Sequence, residues 1–289
     1  MAKKTKYEIL AVNPATDNIP ECGLGEFVNG FTDTHINYKI QLFTIILGCI
    51  TALLAIINVF TKSELLIFLT IIIGAVFLIM LIVDFYRIKI KKRISVFLYK
   101  DGFLWLVQSS NGSVINKETI NYSDVFGINL SSTKQYTNGV YNCTNCTLKI
   151  MSNNQRVFFN KNGLHKSQLN DPIQFETATM LGMYFINLQW GKRNLEQTII
   201  QFNQEGKAVF LTSEFGDAII VTQDTLSLGD KQIDMKLGFD YKFDNGQLII
   251  KQKTDEKKLF GKTKIVININ GMFNQSAFLY LIKNLFGIK

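Results

Sequence analysis

The chain has 289 residues, 31 Lys and Arg against 23 Asp and Glu, and a hydrophobic share of 47%. Its +8 net charge is uneven: five positive residues sit between Arg87 and Arg93, so the remaining surface is ordinary and nucleic acid is not expected as a partner. With two histidines, four cysteines and no phosphate-cradling glycine loop, the chain lacks the parts of a familiar enzyme site, and neither catalysis nor a cofactor or metal is expected.

Residues 1–38 contain no apolar core of signal-peptide length and read as an N-terminal cytoplasmic segment. A two-span transmembrane hairpin is expected over 39–86. Ile40–Phe60 is 21 residues without a charge, Leu65–Val83 is 19 more, and only residues 61–64 separate them. At about 1.5 Å per residue, each run can cross a hydrocarbon core about 30 Å thick. Neither run holds Asp, Glu, Lys, Arg or His, as a transport path generally would. The hydroxyls of Thr44, Thr51 and Thr70 can bond back to their own helices. The small residues Gly48, Ala52 and Gly74 are expected to let the two helices approach each other.

Directly after the second run come Arg87, Lys89, Lys91, Lys92 and Arg93. Positive residues stay on the cytoplasmic side, so this cluster predicts a two-pass protein of the cell membrane with both termini cytoplasmic. Under that topology the Asn-x-Thr triplets at Asn142 and Asn145 are chance features of an Asn-rich chain.

From Ile94 the pattern turns to short β-type runs. Ser95–Tyr99 and Phe103–Gln108 flank a turn at Asp101-Gly102. Strands follow at Glu118–Tyr122, Val125–Leu130, Cys146–Met151 and Arg156–Asn160. Asp171-Pro172 suits a helix start, which closes a first module over 94–190. A connecting helix is expected over 191–206. The order then recurs over 207–289, with strands at Ala208–Thr212, Ala218–Thr222, Asp224–Leu228, Lys231–Met235, Gly238–Phe243, Gln247–Gln252 and Lys264–Asn270. An apolar-faced helix over Asn274–Phe286 ends at Gly287. Glu118–Tyr122 with Gly127 matches Lys231–Met235 with Gly238, and Thr147–Ile150 matches Leu248–Lys251. The expected fold is therefore a membrane helical hairpin plus α+β, with two tandem β modules each closed by a C-terminal helix.

Several strands capped by one amphipathic helix give the pleckstrin-homology-like layout, in which the helix covers the open end of a curved sheet. The chain resembles an uncharacterised bacterial family in which a transmembrane hairpin precedes a cytoplasmic pleckstrin-homology-like region. That resemblance spans about residues 20–289, and it implies location and fold rather than chemistry.

Cys143 and Cys146 have the spacing of a zinc or redox pair, but no second pair exists to complete a four-ligand site, so a turn with reduced thiols is expected. His165 is expected at the surface or at a helix cap. The better candidate is a lysine-rich hairpin of Lys251, Lys253, Lys257, Lys258, Lys262 and Lys264, with Phe260 near its tip. It suits anionic lipid headgroups, or it protects an exposed sheet edge. The residues together predict a non-catalytic, membrane-anchored scaffold that docks an unidentified protein partner or anionic lipid beside the lipid bilayer. The alternatives are an accessory subunit of a membrane transport or envelope complex, and an anionic-lipid sensor acting through the Lys251–Lys264 hairpin.

Overall fold

The computed structural model describes residues 4–288 apart from 34–41, 91, 110–111, 155, 167–170, 172–173, 213–215 and 254–262. It is mixed α/β, with two long apolar helices and four antiparallel sheets. Two compact units emerge: Thr32–Ser95 with Trp105–Glu118, and Met1–Phe31 with Val96–Leu104 and Thr119–Lys289.

The first unit contains the hairpin. Among its preceding elements in the chain are a short helix α1 (Lys6–Leu10) and a strand β1 (Phe27–Thr32); the hairpin itself is α2 (Leu42–Thr61) and α3 (Glu64–Ile90). Both helices are long and apolar enough to cross a membrane, with mean hydropathies of 2.5 and 3.3. A helix of a soluble core would be mostly covered, but only 6% and 0% of these two windows are buried. The hairpin displays side chains such as Phe60 and Leu65, 82% and 77% exposed.

Between the helices the contacts are close. A Cβ on Gly48 would lie 2.8 Å from the Phe77 ring, and one on Gly74 would lie 3.5 Å from Thr51 Cγ2. Ala52 is exposed. Thr51 and Thr70 donate to the carbonyls of Leu47 and Leu66 in their own helices. Thr44 does not follow that expectation: its hydroxyl crosses to Asp84 Oδ2 at 2.8 Å, and both side chains are buried. The apolar run stops at Val83, but α3 continues to Ile90, so Asp84 falls inside the helix with a partner across the pair.

The hairpin interrupts a sheet. β1 is joined by β2 (Lys92–Tyr99), β3 (Gly102–Ser109) and β4 (Val114–Asn121) in the order β1-β2-β3-β4. At the base of the insertion the Asp33 amide donates to the Ile94 carbonyl at 3.0 Å. The Thr32 and Ser95 hydroxyls meet at 2.6 Å, and Arg93 Nε donates to Thr32 Oγ1 at 3.1 Å. Residues 27–32 of the expected N-terminal segment thus supply the first strand of this sheet. Its short FVNGFT run lacks clean alternation, and its partner lies across the whole hairpin. Thr5 and Glu8 form a capping box on α1, and Tyr7 stacks near Phe31 and Phe185.

The second sheet is β5 (Val125–Thr137), β6 (Val140–Ser152) and β7 (Val157–His165), followed by α4 (Ala178–Glu205). The order then repeats. β8 (Lys207–Leu211), β9 (Ala218–Thr222), β10 (Thr225–Leu228) and β11 (Lys231–Asp234) form one sheet. β12 (Phe239–Asp244), β13 (Gln247–Gln252) and β14 (Lys264–Asn268) form another, and α5 (Gln275–Phe286) ends the series.

The two halves agree in detail. Each joins its sheets through a single 3-10 turn capped by an Asx side chain, with Asn121 accepting from Ser123 N and Asp234 from Lys236 N, both at 2.9 Å. Tyr122 N donates to Asp101 O, and Met235 N donates to Asp224 O, both at 2.8 Å. Each second sheet opens with an Asn-Gly turn, Asn138-Gly139 and Asn245-Gly246, with all four residues at positive φ. Leu148 and Ile150 are fully buried in β6, as Leu248 and Ile250 are in β13. Burial therefore aligns Leu148, rather than Thr147, with Leu248.

The closing helices differ from expectation. Asp171-Pro172 does not start α4, although Pro172 and Ile173 lie outside the described residues. Thr177 is the N-cap instead, its hydroxyl accepting from Met180 N at 3.3 Å. The helix then runs unbroken to Gly206, whose φ of 69° terminates it. The expected helix and connector are thus one element of 28 residues.

Joining Asp33 directly to Lys92 through a Gly/Asn turn of about four residues should give a water-soluble, folded protein, because the two ends are already hydrogen-bonded. Deleting residues 1–93 should instead give an unstable or aggregating product, because β1 is lost and the β2 edge is bared. Circular dichroism melts and size-exclusion chromatography of the two variants check this.

Candidate functional site

α4 and the segment between β14 and α5 build the most elaborate polar site, within the larger unit. The first turns of α4 bury Met180, Leu181, Met183 and Ile186. A Cβ on Gly182 would lie 2.6 Å from Val96, so β2 packs against bare backbone there. One turn after Ile186, Trp190 is 3% exposed, and its indole Nε1 donates to Asn274 Oδ1 at 2.8 Å.

Asn274 joins the halves. Its Oδ1 also accepts from the Ile128 amide at 3.2 Å, its Nδ2 donates to Phe126 O at 3.1 Å, and its own amide donates to Ile128 O at 3.0 Å. Asn129 Nδ2 donates back to the Asn270 and Met272 carbonyls at 3.0 and 2.8 Å. The 270–274 segment thus occupies the free edge of β5. Gly127 permits the approach, since a Cβ there would lie 3.1 Å from Phe273 Cβ. Asn274 sits at φ +56°, a left-handed conformation that Asn tolerates well.

Beside this joint is a cavity of about 320 Å³, lined in part by Tyr122, Phe126, Trp190, Asn194, Thr198 and Asn274. Burial pushes the Tyr122 phenol up, only partly offset by the Arg193 charge, and its hydroxyl donates to Gln189 Oε1 at 3.0 Å. Arg193, also on the rim, pairs with Asp101 at 3.3 Å. The lining mixes amide and hydroxyl side chains with apolar ones and the Arg193 guanidinium, and among the described residues it includes no Asp, Glu, His or Cys. Among the described residues no three His, Cys, Asp or Glu side chains gather as metal ligands.

The sites expected from sequence fare differently. Cys143 and Cys146 lie within strand β6, not in a turn. Three residues apart in a strand, they point to opposite faces and cannot share an ion. Cys143 Sγ donates to Gln135 Oε1 at 3.1 Å, while Cys146 is buried and its thiol is pushed up by that burial. His165 is not at the surface: its side chain is 2% exposed, with Nδ1 4.0 Å from Glu176 Oε2 and its ring edge against Phe175.

Of the lysine hairpin, Lys257, Lys258, Phe260 and Lys262 lie outside the described residues. Lys251 and Lys264 are exposed and stand directly opposite each other on β13 and β14. Lys253 pairs with Asp240 at 3.1 Å. In the juxtamembrane cluster Arg87 and Lys89 lie within α3, Lys91 is outside the described residues, and Lys92 and Arg93 begin β2. Sequence reasoning missed the cavity because its residues are scattered between Tyr122 and Asn274. The available signal was the polar stripe Asn194, Gln197, Thr198, Gln201 on one side of a long helix.

Replacing Asn274 by Ala should cost about 2–4 kcal/mol, because three side-chain hydrogen bonds vanish and the Trp190 indole loses its acceptor. Chemical unfolding followed by tryptophan fluorescence measures it. In the folded chain at about pH 8, Cys146 should resist iodoacetamide, its burial disfavouring the thiolate; unfolding should expose it. Peptide mass spectrometry reads the labelling. Comparison with known protein families, curated proteins and solved structures finds no match to this chain.

Proposed function

We propose that the chain is a two-pass, membrane-anchored docking protein, non-catalytic, whose two halves are pleckstrin-homology-like modules held at the cytoplasmic face. The observation that carries this reading is the bonded base of the hairpin. Asp33 and Ile94 pair at 3.0 Å, so a membrane-inserted hairpin enters and leaves on the same side. The Arg87–Arg93 cluster favours the cytoplasm for that side. Seven strands in two sheets, closed by a helix and then repeated, support the modular reading. The mixed amide, hydroxyl and apolar lining of the cavity suits recognition.

A second reading, contact with anionic lipid, draws on Lys251 and Lys264. Like charges directly opposite on neighbouring strands repel, and a bound anion would relieve the strain. Lys253, neutralised by Asp240, contributes less.

An impermeant thiol reagent added to intact cells should label Lys62→Cys and leave Asp17→Cys and Asp230→Cys untouched. Labelling Asp17→Cys and Asp230→Cys from opposite sides of the membrane would defeat the anchored-platform reading. For the lipid reading, the hairpin-excised protein should float with phosphatidylglycerol vesicles, and a Lys251→Ala, Lys264→Ala double variant should bind several-fold more weakly. Flotation unchanged by the double substitution would remove it.

A further inference from the structure

The antiparallel order of the first sheet sets which strand ends share a level. β3 follows β2 through the turn at Asp101, and β4 follows β3 through a turn closed by Ser109 N donating to Ser113 O at 2.9 Å. The start of β4 therefore lies at the same end of the sheet as Lys92 and Arg93, where the chain leaves α3. Residues 105–118 belong to the compact unit that holds the hairpin. At this corner Val114 and Ile115 are 57% and 50% exposed. Neighbours in a strand point to opposite faces, so both faces of β4 are bare at these two positions. β4 is also an edge strand, where bare Val and Ile invite aggregation unless something covers them.

We infer that this corner rests in the interfacial layer of the membrane that the hairpin spans, with Val114 and Ile115 as a shallow apolar foot. This rests on the anchored reading above and adds a second point of contact with lipid. The apolar span ends at Phe85, and α3 runs five residues further to Ile90. Those residues rise about 8 Å, which carries the chain across a headgroup layer about 5–8 Å thick and no further. The first residues of β2, and the start of β4 level with them, therefore fall at the lipid surface. The charges suit an anionic surface. Lys92, Arg93 and Lys117 stand against Asp33 and Glu118. Those two carboxylates already accept from the Ile94 amide at 3.3 Å and from Asn116 Nδ2 at 2.5 Å. The hairpin holds the corner at the bilayer, so two apolar side chains suffice where a free protein would need more.

The test uses the full-length chain carrying Cys22→Ser, Cys49→Ala and Cys143→Ser, with Cys146 left buried in place. It is reconstituted into vesicles of phosphatidylcholine and phosphatidylglycerol. A nitrobenzoxadiazole probe is attached at Val114→Cys, Ile115→Cys, Thr119→Cys or Leu53→Cys, and the parent without an added cysteine gives the baseline. All four positions are exposed, so substitution there spares the core. Lipid carrying a nitroxide near the top of its acyl chain should quench the probes at positions 114 and 115 at least about twofold, as shallow interfacial burial requires. The probe at Thr119, about 13 Å further along β4, should keep its emission. Unquenched probes at 114 and 115 would overturn the inference, whether their emission is that of water or is blue-shifted by a covering protein. Equal quenching at Thr119 would also overturn it, as general adsorption. Leu53 lies within the first span, and its probe reports the anchor alone. Quenching there without quenching at 114 and 115 defeats only the foot, whereas no quenching at Leu53 defeats the anchored reading itself.

Discussion

The pairing of β1 with β2 across the inserted helices is the constraint on which the rest depends. One backbone bond, Asp33 to Ile94, and one hydroxyl pair, Thr32 to Ser95, close an insertion that would otherwise leave two open ends. Closing a long loop costs little more than closing a short one, because the entropy grows only with the logarithm of length. A pair of membrane-length helices can therefore sit where the second half has only the short connection from Leu211 to Ala218. The helical pair is thus built into a sheet rather than hung on a linker. Thr44 and Asp84 join the two helices by a buried hydrogen bond of their own.

The repeat is close in its turns and unequal at its edges. Both halves keep the Asx-capped turn, the Asn-Gly hairpin and the buried Leu-x-Ile of the middle strand. In the first half the edge of β5 accepts the 270–274 segment, and Gly127 gives the clearance. In the second half Asp240 stands where that glycine would fall, two residues after the turn ends at Gly238. Asp240, Lys242 and Asp244 place alternating charges along β12, and all three form exposed ion pairs, Asp240 with Lys253 and Lys242 with Asp244. Such pairs add little stability, but charge on an edge discourages further strands from joining. One edge is used to bind the halves together and the other is kept polar.

Much of this was readable from the residues. The hairpin followed from two long uncharged runs. The strands and closing helix of the second half were legible to within a residue or two, because most of its strands alternate and its turns carry Gly and Asn. What escaped depended on distance. β1 has no periodicity of its own and is defined by a partner beyond the hairpin. The start of α4 was misplaced because Asp-Pro is a strong local signal, while Thr177, an equally good cap, wins through the packing of Met180 and Gly182 behind it. His165 carried no mark of burial, since Phe175, which covers it, comes from the following loop. The cavity had no linear motif at all.

The interrupted sheet also dictates an order of assembly. Thr32 leaves the ribosome 63 residues before Ser95, a delay of roughly 3–13 s at ordinary elongation rates. During that interval β1 has no strand of its sheet to pair with, and both long helices are synthesised before the pairing can be completed. The second half, continuous from Lys207 to Phe286, carries no such delay. Completion of the front sheet is thereby conditional on the two long helices folding back on each other: a chain in which they fail to pair keeps its first β-strand unmatched.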